Sequence, residues 1–130
     1  MRSLSTAIVI AVVVMAGCAK APPSLSPAGV RIWQANEGVV ALGTVQHTAI
    51  ELNKIQVCDP ACHPLVSDRN TGIVVDAVAD GLKAIQRVPD GWKATAVVVL
   101  ERIEGRLDAA GKEKLAAYVI AARTVIDALR

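Results

Sequence analysis

Apolar residues recur every three or four positions through most of the chain after residue 28, and this spacing is the strongest constraint on its fold. Such a step places side chains along one face of an α-helix, whereas a half-buried strand needs strict alternation. The first series predicts helix one from about 29 to 57, with polar side chains largely on the opposite face. Its apolar members are Ile32, Ala35, Val39, Leu42, Val45, Ala49, Leu52 and Ile55.

A second helical series follows a segment that contains two prolines. Ser67, Asp68 and Asn70 are candidate N-caps, because their short polar side chains can accept hydrogen bonds from the free amides of a first turn. The pattern predicts helix two from about 69 to 88. The residues expected to face inward are Val74, Ala77 or Val78, Gly81 or Leu82, Ile85 and Val88.

Pro89-Asp90-Gly91 separates the second helix from the third. Proline presets one backbone angle, aspartate bonds to nearby amides and glycine tolerates unusual conformations, so the triplet is a turn signature. Helix three therefore begins at Trp92. Its inward residues are expected to be Trp92, Ala96, Val99, Ile103 and Leu107.

The last third of the chain allows two interpretations. Gly105 and Gly111 each cost ~1 kcal/mol relative to alanine inside a helix, and the apolar series loses its phase after Ala110. We favour a break from 108 to 112 and a fourth helix from about 112 to 129. The alternative is one helix from 92 to 129 with Gly111 close to a neighbouring helix. Residues expected inward in the fourth helix are Leu115, Val119, Ala122, Ile126 and Leu129.

These elements predict an all-α, up-and-down bundle of four helices, or of three with a long last helix, because short connections make sequential helices antiparallel. No strand period is evident. The chain has no Phe, so its core is expected to be aliphatic. Helices one and three would start at the same end, which places Trp33 and Trp92 together, either touching lipid headgroups or closing the core. The segments 58–63 and 108–112 would lie at the opposite end.

The N-terminus carries the pattern of an export signal. Arg2 precedes an apolar run of about a dozen residues, too short to span a bilayer core of ~30 Å. The run ends in Met15, Ala16, Gly17 and Cys18, which resembles the lipobox of bacterial lipoproteins: an aliphatic residue, two small residues and a cysteine. An uncleaved membrane span and a freely secreted protein remain the alternatives.

The lipoprotein resemblance implies a location and a domain organisation. Residues 1–17 would be removed as signal peptide, and Cys18 would receive acyl chains such as palmitate. Residues 18–28, rich in proline, would form an extended tether to the helical domain, residues 29–130. The protein would then be held on the cell membrane or the outer membrane, with its domain facing the periplasm or the exterior.

Charge and cysteine number are consistent with this organisation. Removal of Arg2 with the signal leaves thirteen basic and twelve acidic residues, so no nucleic-acid partner is predicted. We expect the membrane as one partner, through the lipid anchor, and a protein of the cell envelope as another. Lipidation of Cys18 leaves Cys58 and Cys62, an even pair in a compartment where disulfides persist.

The segment from Cys58 to His63 allows three chemical interpretations. The preferred one is a structural disulfide between Cys58 and Cys62. The second is c-type haem attachment, although the usual spacing between the cysteines is two residues and here it is three. The third is a metal site formed by Cys58, Cys62 and His63, with His47 or Asp59 as a fourth ligand. We predict no bound cofactor.

Candidate catalytic residues are few. Ser67, His63 and Asp68 are neighbours in sequence and lack a nucleophile-elbow pattern, so they do not predict a hydrolase. The carboxylate pairs Asp76 with Asp80 and Glu101 with Glu104 can share a helix face, where surface ion pairs are the ordinary role. The sequence therefore predicts no catalytic residue, and it favours a lipid-anchored structural or binding module over the alternative of a small haem or metal-binding periplasmic protein.

Overall fold

The computed structural model describes residues 21–129, and within this range four α-helices form a bundle. The predicted all-α fold is confirmed, with the break that separates helices three and four. The helices are α1 (Pro27–Lys54), α2 (Asp68–Arg87), α3 (Trp92–Arg106) and α4 (Ala109–Ala128); a 3₁₀ turn covers Pro89–Gly91, and two short strands are β1 (Gln56–Cys58) and β2 (Cys62–Pro64).

The helices pack in the order expected of an up-and-down bundle. Helix α1 contacts α2 and α4 most extensively, and α2 packs on α3. Across the diagonal, α1 also lies close to α3. A Cβ atom on Gly38 of α1 would lie 2.5 Å from the ring of Trp92, the first residue of α3. Helices one and three therefore begin at the same end, as predicted.

The predicted inward faces of the last two helices are confirmed. Their members are all buried, and they are Trp92, Ala96, Val99, Ile103 and Leu107 around α3, and Leu115, Val119, Ala122, Ile126 and Leu129 around α4. Aliphatic side chains dominate this core. Trp92 is only 7% exposed, so it closes the core and does not reach solvent, whereas Trp33 is partly buried against the core.

Three predicted core residues are exposed. Ile32 is 63% exposed, Val88 61% and Ile55 38%. Ile32 lies on α1 before Ala35, the first buried residue of that helix, so no neighbour covers it. Val88 and Ile55 lie just beyond the ends of α2 and α1, where the chain leaves helical geometry. At each of these sites the apolar spacing of the sequence continues beyond the region in which the helices pack against one another.

Side-chain caps set the starts of three helices. The Ser26 hydroxyl accepts a hydrogen bond from the amide of Gly29 at 3.1 Å, and the Ser67 hydroxyl accepts one from Asn70 at 3.1 Å. Ser67 is thus the N-cap among the three candidates for helix two. The Asp108 carboxylate accepts one from Gly111 at 2.9 Å, which starts α4 three residues before the predicted position.

The strands correct the expectation that the chain lacks β-structure. Antiparallel pairing joins Gln56 with Pro64, Val57 with His63, and Cys58 with Cys62. Helix α1 accordingly ends at Lys54, earlier than predicted, because the following residues enter this hairpin. The pairing is too short to produce a visible alternation in the sequence.

The segment before α1 is less extended than predicted. The amide of Leu25 donates a hydrogen bond to the carbonyl of Pro22 at 3.2 Å, which closes a turn, and α1 begins at Pro27, inside the predicted tether. The predicted signal peptide, residues 1–17, and the predicted lipidation site, Cys18, lie outside the described residues. Within residues 21–129, no helix combines the length and the apolar character that crossing a membrane requires.

Two glycines of α2 give a matched test of helix packing. A Cβ on Gly81 would collide with Val99 of α3, whereas one on Gly72 would meet no atom within 4 Å. We expect Gly81→Ala to lower the free energy of unfolding by about 1–3 kcal/mol through overpacking. Gly72→Ala should raise it by about 0.5–1 kcal/mol, because alanine favours the helix. Urea denaturation of both variants measures the difference; equal effects would contradict the packing argument.

Candidate site at the disulfide-bonded tip

The loop between α1 and α2 and the junction between α3 and α4 lie together at one end of the bundle, as the sequence predicted. We call residues 55–70 and 107–114 the tip. A surface cleft of about 380 Å³ lies between these two segments. Its lining residues are Val57, His63, Pro64, Leu65, Ser67, Asn70, Asp108, Ala110, Gly111 and Lys114.

A disulfide between Cys58 and Cys62 closes the hairpin, which confirms that prediction. The two cysteines are paired in register across the antiparallel strands, and residues 59–61 form the exposed loop between them. Crosslinking so small a ring is worth about 2 kcal/mol in the loop-entropy model. The peptide between Asp59 and Pro60 is cis. The hairpin thus presents a short, covalently closed loop to solvent.

Asn53, in the last turn of α1, closes the base of the loop that carries the hairpin. Its side-chain amide donates hydrogen bonds to the carbonyl of Val66 at 2.9 Å and to the carboxylate of Asp68 at 2.8 Å. Val66 is 1% exposed and belongs to the core. The carbonyl of Ile55 accepts a bond from the amide of Leu65 at 2.8 Å, which extends the pairing beyond the strands. The last turn of α1 therefore fixes where α2 starts.

Asn70 joins α2 to the start of α4. It is 1% exposed, and its Nδ2 donates to Oδ1 of Asp108 at 2.9 Å. The amide of Asp108 donates back to Oδ1 of Asn70 at 3.4 Å. We call this reciprocal pair the Asn70–Asp108 clasp. A Cβ on Gly111 would lie 2.5 Å from Nδ2 of Asn70, so glycine is needed for this close approach.

The sequence predicts only parts of the Asn70–Asp108 clasp. Asn70 was predicted as a possible cap, and the close approach of Gly111 was predicted only for the alternative of one continuous helix. The structure has the close approach together with the break. The signal that could have identified Asp108 is local: an aspartate stands directly before the last helical series, which is the usual place of an N-cap.

The surroundings of Asp108 lower the pKa of its carboxyl. The chief cause is the hydrogen bond from the amide of Gly111, followed by the one from Asn70. Arg69 adds a favourable charge, with its Nη1 3.8 Å from Oδ2 of Asp108. Each of these interactions favours the ionised carboxylate. Asp108 is therefore held as an anion at the edge of the cleft, paired within the protein.

The rest of the cleft combines apolar and basic groups. Val57, Pro64 and Leu65 are partly buried, and Lys114 is exposed at the rim. His63 is exposed, with Nδ1 3.1 Å from the carbonyl of Pro64, so a protonated Nδ1 donates to that oxygen. A cleft of this size and composition suits a few side chains of a protein partner, or one small organic group.

The disulfide occupies the two sulfur atoms that a haem attachment site or a metal site would need. Thioether attachment to haem and thiolate binding of a metal each need the same Sγ atoms of Cys58 and Cys62, so neither is compatible with the oxidised hairpin. Between residues 21 and 129, no group of three or more His, Cys, Asp or Glu side chains is arranged to hold a metal ion. His47 is exposed on α1, and Asp59 is exposed in the hairpin loop.

Two of the carboxylates that the sequence places in pairs on helix faces, Asp80 and Glu104, form ion pairs with arginine side chains. Asp80 accepts a hydrogen bond from Nη1 of Arg102 at 2.8 Å, which links α2 with α3 and lowers the pKa of Asp80. Oε1 of Glu104 lies 3.5 Å from Nη2 of Arg123, which links α3 with α4. These carboxylates form ion pairs between helices at the surface.

Comparison with known proteins gives no relative for this chain. No family model matches it, and neither a curated protein nor a solved structure shows significant similarity. The argument on function therefore depends on the residues and their arrangement.

The carboxylate of Asp108 makes stability depend on pH. Its pKa is lowered by folding, so its contribution is fully present above the unfolded value of ~3.9 and is lost as the pH falls through the lower folded value. Asp108→Asn keeps an N-cap acceptor but cannot ionise. We expect thermal unfolding of this variant to lose less stability below pH ~4 than the wild type does.

In the Asp108→Asn variant, the pH dependence of stability should be reduced rather than abolished, because the pKa values of Asp80 and Glu51 are lowered as well. Asp127→Asn, which removes an exposed carboxylate near the other end of α4, is the matched control. Identical pH profiles for Asp108→Asn and the wild type would show that the clasp does not depend on the charge.

Proposed function

We propose that this protein is a lipid-anchored, non-enzymatic module of the bacterial cell envelope, which binds a protein partner through its disulfide-bonded tip. The observation that carries the proposal is that the start of α1 and the tip lie at opposite ends of the bundle. The chain enters α1 at one end, near the proposed anchor at Cys18, and the tip lies at the other end. With α1 about 42 Å long, the tip can reach well beyond the lipid headgroups.

The tip has the features of a binding surface. Its hairpin is closed by a disulfide, and Asn53 closes the base of the loop that carries it, so little backbone freedom remains to be lost when a partner binds. The loop residues 59–61 are exposed, and the adjacent cleft offers apolar contacts beside His63 and Lys114. A stable disulfide also supports a location outside the cytoplasm.

The lipid anchor is tested by metabolic labelling. When the full chain is expressed in a bacterium and supplied with radiolabelled palmitate, we expect label in the wild-type protein and none in Cys18→Ser, because the thiol is the proposed attachment point. Equal labelling of the two proteins would refute the anchor.

Partner binding at the tip is tested by photocrosslinking in intact cells. A photoreactive amino acid at Ala61, in the hairpin loop, should give a discrete adduct with an envelope protein. The same residue at Ala117, an equally small and exposed position on α4, is the matched control and should give none. The double variant Cys58→Ser, Cys62→Ser should lose the Ala61 adduct, since the loop is no longer closed. An adduct from Ala117 alone would contradict binding through the tip.

A further inference from the structure

The end of the bundle opposite the tip, which we call the base, comprises residues 21–34, 87–93 and 127–129. Here α1 begins, α2 ends, α3 begins and α4 ends. Lys93 of α3 donates a hydrogen bond from Nζ to the carbonyl of Leu129 at 3.1 Å, which ties two of these segments together. The base is the end at which the proposed anchor segment joins the folded domain.

The first two turns of α1 extend beyond the end of α2. At the tip, Asn53 of α1 is level with Asp68 of α2, to which it is hydrogen-bonded. Because α1 and α2 run antiparallel, counting forward on α2 from Asp68 to Arg87 corresponds to counting back on α1 from Asn53 to about residue 34. Arg87, at the end of α2, is therefore level with about residue 34. Residues 27–33 therefore project past α2 by roughly 10 Å. The first buried residue of α1 is Ala35, which agrees with this estimate.

The projecting turns and the adjacent end of α2 carry exposed apolar side chains. Ile32 is 63% exposed, Val88 61% and Leu25 37%. Trp33 is only partly buried. In the described part of the chain the three aliphatic side chains are left exposed, whereas the Trp33 indole packs partly against the core.

The charged groups of the base are mixed. Arg31 and Arg87 are exposed, and Lys93 is partly buried; the acidic groups at this end are Asp90 and Asp127, both exposed. Aliphatic side chains beside tryptophan and arginine are characteristic of segments that lie at the interface between lipid headgroups and acyl chains. The long stems of arginine can also lie along an apolar surface while the guanidinium stays hydrated.

The length of the connecting chain decides which surface these residues meet. Only seven residues separate Cys18 from Ser26, the N-cap of α1, and the turn from Pro22 to Leu25 shortens this path. Its reach is no more than roughly 25 Å. If Cys18 is lipidated, the start of α1 stays within this distance of the membrane at all times, whereas the tether sets no such limit on the tip.

We infer that the base rests on the bilayer, with Ile32, Trp33 and Val88 at the level of the lipid headgroups. The inference depends on the proposed lipid anchor and adds a second, non-covalent contact with the lipid surface. This contact orients the bundle, because a flexible tether alone would let the domain tumble. The tip then points away from the membrane, toward a partner.

The contact is tested with the mature, acylated protein in phosphatidylcholine and phosphatidylglycerol vesicles. Brominated phospholipids quench tryptophan fluorescence only at short range. We expect quenching of the wild-type emission and its loss in Trp33→Phe, because Trp92 is buried in the core. Ile32→Ser should weaken both the quenching and the blue-shift of the tryptophan emission. Ile120→Ser is the matched control, since Ile120 is 64% exposed on α4 and away from the base; it should behave as the wild type does.

The outcomes separate this inference from the proposed function. A protein that takes up no palmitate would refute the anchor, and each preparation is checked for acylation by mass spectrometry first. An acylated, vesicle-bound protein whose Trp33 is not quenched would overturn the base contact and leave the anchor standing. A blue-shift of the Trp33 emission in native membranes, without quenching by brominated phospholipids, would also overturn it, because the base would then be covered by a protein. Equal effects of Ile32→Ser and Ile120→Ser would exclude a specific orientation.

Discussion

The Asn70–Asp108 clasp is the interaction on which the tip depends. Asn70 is 1% exposed, and an amide at that depth is costly unless its hydrogen bonds are made. Asp108 supplies them, and the same carboxylate caps α4. The first turn of α2 and the start of α4 are thereby joined by two side chains that are 38 positions apart in the sequence. The cleft and the disulfide hairpin take their relative positions from this pair and from the bonds of Asn53.

The helical period predicted the architecture well where a helix is covered along its length. Every expected inward residue of α3 and α4 is buried, because neighbouring helices flank both throughout. The period failed at Ile32, Ile55 and Val88, since it indicates which face of a helix is apolar and not how far the neighbours extend. The short strands were missed because three residues are too few to establish an alternation.

The candidate site was predictable in part. Cysteine number and the location implied by the lipobox pointed to the disulfide, and the up-and-down topology placed the hairpin beside the α3–α4 junction. The polar contacts of Asn53 and Asn70 were not predictable, because their partners are distant in sequence and no local pattern encodes them. Gly111 shows the same limit: its sequence context indicated a special role, while the Asn70 side chain that requires it became visible only in three dimensions.

The contact of Gly38 with Trp92 has a consequence for how related sequences can diverge. The indole fills the space that a side chain at position 38 would need, and a Cβ there would lie 2.5 Å from two ring atoms. Neither residue can be exchanged independently: a larger group at 38 requires a smaller one at 92, and the loss of the ring leaves a void that glycine cannot fill. Descendants of this chain should therefore vary at the two positions as a coupled pair, which offers a way to recognise them when overall similarity has faded.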